Sequence, residues 1–96
     1  MSELIKISKK TEINKAAGAV AHFLRADKEV CVTGTGRFGQ LKALHTVTLA
    51  RRFVLEDGGF DVNVRPDFIK ITHGEDQLNG IEFRIVACKD KSTEEL

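Results

Sequence analysis

Two stretches of alternating apolar and polar residues in the second half of the chain constrain the fold most. Phe60, Val62 and Val64 alternate with Asp61, Asn63 and Arg65. Ile81, Phe83, Ile85 and Ala87 repeat the pattern after a polar turn over residues 73–80. A period of two puts one set of side chains on one face of a strand. The two stretches predict an antiparallel hairpin with one apolar face, and that face needs a covering layer. Between them the apolar phase changes parity, since Ile69 and Ile71 are odd-numbered. Pro66 stands at the change and cannot donate a ladder hydrogen bond, so a bulge or bend is expected there.

The covering layer is legible upstream. From Ile13 to Arg25, Ala17, Val20, Ala21 and Leu24 recur at helical spacing. Thr11 or Asn14 is the candidate cap, and Gly18 suggests close packing of that helix on the sheet. A second helix is expected from about residue 38 to about residue 54. Ala43, Val47, Ala50 and Val54 line its buried side, with Leu44 and Phe53 flanking. Leu41, His45, Leu49 and Arg52 fall on the opposite side as a candidate dimer interface. Leu4, Ile5 and Ile7 mark a first strand, and residues 30–33 a second. The order is β-α-β-α-β-β: an α+β two-layer sandwich, a four-stranded mixed sheet with two helices on one face.

The chain has 96 residues, enough for one core of this kind and no more. We expect a single domain over residues 1–89 and a charged flexible tail over 90–96. Neither a signal peptide nor an apolar run of membrane-spanning length is evident, and a cytoplasmic protein without membrane contact is the simplest reading. Cys31 and Cys88 form no Cys-x-x-Cys motif and read as reduced thiols. Their parity places both on the outer sheet face, as candidate cross-strand neighbours.

Gly34-Thr35-Gly36-Arg37-Phe38-Gly39 matches G-x-G-x-x-G after a strand and before a helix, with Glu56 or Asp57 as a possible ribose partner. A dinucleotide site needs two mononucleotide halves, and this chain offers one followed by a hairpin. A strand-to-helix connection is the better reading. His22, His45 and His73 fall on separate elements without ligand spacing, and no serine or cysteine has an evident base. No cofactor, metal or enzymatic activity is expected.

Charge distribution says more than charge total, since Lys+Arg (15) nearly balance Asp+Glu (14). Residues 30–55 hold no acid but carry Arg37, Lys42, Arg51 and Arg52. Lys6, Lys9, Lys10 and Lys15 form a second basic group. Both strand-to-helix connections are expected at one end of the sheet, each leading into a helix N-terminus that favours anions. The two readings are a basic edge suited to phosphates and a merely solvated face. Stacking platforms are scarce, with no Trp and no Tyr.

The segments NKAAGAVAHFLR, TLARRFV, RPDF and GEDQLNGIEFRIV, in this order and spacing, resemble the stage V sporulation protein S family. The resemblance implies an Alba-like fold and a small, dimeric, DNA- or RNA-binding regulator linked to sporulation and septation. It also implies phosphate contacts from Lys9, Lys10 and Arg37, with Lys42 on the first turns of the second helix. The chain departs from the family at Arg37, where small neutral residues are usual, and at Arg52, where glycine is usual. Alba proteins reach along DNA with a basic hairpin arm, whereas here the hairpin tip, His73-Gly74-Glu75-Asp76-Gln77, is acidic. A protein-interaction module without direct nucleic-acid binding is the alternative.

Overall fold

A computed structural model describes residues 2–88; the expected tail over 90–96 lies outside the described residues. The elements are β1 (Ser2–Ile7), α1 (Ile13–Arg25), β2 (Glu29–Thr35), α2 (Gly36–Phe53), β3 (Asp61–His73) and β4 (Asp76–Cys88). One π turn, Val54–Gly58, extends α2 before the chain enters β3. The sheet order is β1-β2-β4-β3, with β1 parallel to β2 and the other pairs antiparallel. Both helices lie on one face and pack against each other as well as on the sheet. The α+β two-layer architecture expected from the hydropathy pattern is the observed one.

The core forms where the two periodicities meet. Ala17, Val20, Ala21 and Leu24 of α1 and Ala43, Val47 and Ala50 of α2 are buried against Val30, Val32, Phe83 and Ile85 of the central strands. The small residues on both helices let them approach the sheet and each other closely, and the β-branched residues fill the pleat beneath.

Several local expectations give way. Thr11 and Asn14 do not cap α1: Glu12 is its first flanking residue and makes no side-chain cap bond. The Thr11 hydroxyl instead accepts from the Ser8 backbone N–H at 2.9 Å, tightening the β1–α1 loop. Gly18 meets nothing within 4 Å of an added Cβ, so close packing does not explain it. No loop separates β2 from α2, because Thr35 is extended and Gly36 already opens the helix.

The hairpin has no bulge. β3 and β4 pair without a break from Asp61↔Cys88 to His73↔Asp76. Pro66 is tolerated because β3 is an edge strand, where one side of the backbone makes no ladder bonds. The parity change has another cause. Val62 and Val64 face the helices, whereas Ile69 and Ile71 face the outer side. The last β2–β4 pair is Thr35↔Gly80, so the four pairs from Lys70↔Asn79 to His73↔Asp76 project as an arm. Its odd-numbered β3 residues and even-numbered β4 residues take the outer face. There Ile71 and Leu78 line a cavity of about 330 Å³ with Lys6, Thr33 and Thr35. An arm is therefore present, although Glu75 and Asp76 against Lys70 leave it acidic.

The cysteines share the outer face but are not neighbours. Cys31 lies opposite Arg84, four residues from Cys88 along β4. At ~3.4 Å per residue the offset is too long for a disulfide. The Cys31 thiol donates to Glu82 Oε1 at 3.6 Å, and partial burial, reinforced by that carboxylate, pushes its pKa up.

Candidate nucleic-acid interface

Because β1 and β2 are parallel and adjacent, their C-terminal ends lie at one edge of the sheet, and both helices start there. The β1–α1 loop carries Lys9 and Lys10, and both are exposed. Arg37 stands in the first turn of α2, also exposed, rather than on a loop. Neither helix has an acidic residue in its first turn, and neither has a side-chain cap. The partial positive charge of both N-termini therefore adds to the lysines and the arginine.

Lys42 joins the two elements. Its ammonium donates to the Lys9 carbonyl at 2.5 Å and the Thr11 carbonyl at 3.0 Å. The side chain clamps the β1–α1 loop, with Lys9 and Lys10, onto α2. Its main structural use is this clamp, with two of its three donors engaged. Lys10, Thr11, Glu12, Ile13, Asn14 and Lys42 line a surface cleft of about 340 Å³ between this loop and α2.

Most other cations are compensated. Arg51 pairs with Asp61, Arg52 with Glu56, Arg25 with Asp57, Lys28 with Glu3, Lys15 with Glu12, and Arg84 with Glu29 and Glu82. Among the described residues, Lys6, Lys9, Lys10, Arg37 and Lys42 form no salt bridge, and all five lie at the edge where the helices begin. Arg65 and Lys70 share that freedom on the edge strand β3, Arg65 in mid-strand and Lys70 at the base of the arm, which leaves the sheet at the same edge. Of the four cations in the acid-free stretch, two are thus neutralised by acids beyond it, a pairing that spacing alone does not reveal.

The glycine-rich junction has a backbone explanation. A Cβ on Gly34 would collide with the Gly39 carbonyl oxygen, so the strand end and the first turn of the helix touch directly. Gly36 has φ +70°, a conformation favouring glycine. Both glycines are required by the turn itself.

The proposed dimer residues divide. Leu41 is exposed, as are His45 and Arg52, but Leu49 is half-buried against the core. Leu44, expected to flank the buried side, is instead 47% exposed. Leu44 shares a side of α2 with Arg51, seven residues on, and Arg51 reaches β3 at Asp61. On the helix-facing side of β3, Phe68 is 86% exposed, because α2 covers β2 and β4 and stops short of the edge strand. Sequence reasoning missed Phe68, although its even parity with Val62 and Val64 was the available signal.

Among the described residues no group of three or more His, Cys, Asp or Glu side chains could hold a metal ion. His22 and His45 lie on different helices, and the His73 side chain is outside the described set. No described helix is long and apolar enough to cross a membrane.

The chain matches the family model described as stage V sporulation protein S (SpoVS) over residues 3–88. In three dimensions it is similar to Alba from Thermoplasma volcanium, with a TM-score of 0.63. The match covers 88% of this chain and 99% of that one at 14% sequence identity, a likeness of fold. No curated protein matches the sequence. With the family model spanning nearly all described residues and the fold likeness covering 88% of the chain, the chain belongs to the stage V sporulation protein S family and has an Alba-like fold.

Proposed function

We propose that the chain is a small nucleic-acid-binding regulator that grips the phosphates of DNA or RNA as a homodimer, with little sequence preference. One observation carries this reading: cations without acidic partners collect where two uncapped helix N-termini open. Lys9, Lys10 and Arg37 are the phosphate contacts, and Lys42 supports them through the loop. Neither helix presents a row of Arg, Asn or Gln suited to base edges. Affinity is therefore that of non-specific binding, ~10⁻⁴–10⁻⁶ M at physiological salt. The family name links the chain to sporulation, and the fold likeness to Alba fits a nucleic-acid role.

A fluorescence titration of duplex DNA against salt tests the proposal. Replacing Lys9, Lys10 and Arg37 by alanine should weaken binding alike for all sequences. It should flatten the slope of log K against log salt by about 0.9 for each phosphate that is no longer gripped. Wild-type affinity and slope in that variant overturn the assignment. No binding by the wild-type chain at low salt favours a protein-interaction module working through the exposed face of α2, where Leu41 and Leu44 lie.

A further inference from the structure

The same edge carries an aromatic ring that the phosphate reading leaves unused. Phe38 lies in the first turns of α2 and is 62% exposed. Residues four apart on a helix share a side, so Phe38 sits one turn before Lys42 on the side facing the β1–α1 loop. Lys42 fixes that loop through the Lys9 and Thr11 carbonyls. Arg37 is the preceding residue. The ring thus stands on the side of α2 that faces the loop carrying Lys9 and Lys10, about 100° round the helix from Arg37. The occupant must cover an exposed ring, which itself does not assist phosphate binding, beside two lysines that no acid compensates. A nucleobase meets both conditions: it has a face to stack and a phosphate attached on either side.

We infer that Phe38 is a base-stacking residue, and that the edge prefers single-stranded nucleic acid, whose bases are free, over a closed duplex. This rests on the phosphate reading and adds a preference which that reading lacks. In a duplex the ring has no exposed base face without unstacking a step. In a single strand it takes one base while the cations hold the neighbouring phosphates.

The test is equilibrium binding of the full chain to a thymidine oligomer and to a duplex of equal length, at low salt. Phe38→Ala should weaken single-strand binding by roughly 5- to 100-fold, the loss expected for one stacked base. It should leave duplex affinity within about twofold and the salt slope unchanged, since every phosphate partner stays in place. Phe38→Trp should retain single-strand affinity. As the only tryptophan in the chain, its fluorescence should be quenched by the oligomer and not by the duplex. Equal effects of Phe38→Ala on both probes, or none on either, overturn the inference. So does a change of oligomeric state in sedimentation, which would make the ring a subunit contact. A Lys9, Lys10 and Arg37 alanine variant that still binds both probes like wild type overturns the phosphate reading instead. If Phe38→Ala alone then loses single-strand affinity, stacking stands without the cations.

Discussion

Arg51 and Asp61 meet in a two-point ion pair, Nε to Oδ1 at 2.8 Å and Nη2 to Oδ2 at 3.1 Å. The pair ties the last turns of α2 to the first residue of the edge strand β3. The guanidinium hydrogen bonds hold the Asp61 carboxyl below its ordinary range against the opposing effect of partial burial. A carboxyl with a lowered folded pKa stabilises the fold above its unfolded value of ~3.9 and loses that contribution as pH falls below it. Both side chains retain solvent contact, so the contribution is about 0.5–1 kcal/mol. Asp61→Asn should remove it at neutral pH and flatten the acid limb of a stability–pH curve measured by urea unfolding. An unchanged acid limb would show that the pair contributes nothing.

Two glycines should respond in opposite directions. Gly18 has open space around a new Cβ and no φ in the left-handed region, so Gly18→Ala should stabilise α1 by about 1 kcal/mol. At Gly34 the same change drives a methyl into the Gly39 backbone, with the Ala43 Cβ at 2.9 Å. Neither backbone segment can yield without parting β2 from α2, and a loss of about 3 kcal/mol or failure to fold is expected. Thermal unfolding of the two variants checks both signs.

Lys42→Met should free the β1–α1 loop while keeping most of the aliphatic packing. Two charge-assisted bonds to backbone carbonyls disappear, and a loss of about 1–2 kcal/mol is expected. Amide exchange at Lys10 and Thr11 should accelerate, because their bonds to Ser8 depend on the loop staying folded on itself. If exchange there is unchanged, Lys42 does not act as a clamp.

The proposed dimer has a direct test in sedimentation. Leu41→Asp with Leu44→Asp should give a folded monomer, because a buried leucine is worth roughly 1.5–3 kcal/mol and a symmetric interface carries each leucine twice. Leu49→Asp should unfold the chain instead, since Leu49 packs on the core. A monomeric wild-type protein at high micromolar concentration would remove the premise.

The element order, the two-layer architecture and the buried stripes of both helices were all legible in the residue pattern. Each follows from the period at which apolar residues recur, and burying them satisfies one local rule at a time. The same pattern placed Lys9, Lys10 and Arg37 near helix starts, because β-α order and parallel pairing bring such starts to one edge. Which cations stay unpaired is settled only in three dimensions. Arg51 finds Asp61 and Arg52 finds Glu56 through the geometry of the α2–β3 connection, while Lys42 finds carbonyls across the loop. Leu49 rests on the core, and Leu44 and Phe68 stay exposed, because the edge strand extends past the reach of α2. The cysteine register is likewise a product of the assembled sheet, since strand pairing is set by the whole hairpin and one sheet accommodates several offsets with the same inward faces. Pro66 belongs to the same class: the edge position of β3, which no local pattern encodes, is what makes proline acceptable in an unbroken strand.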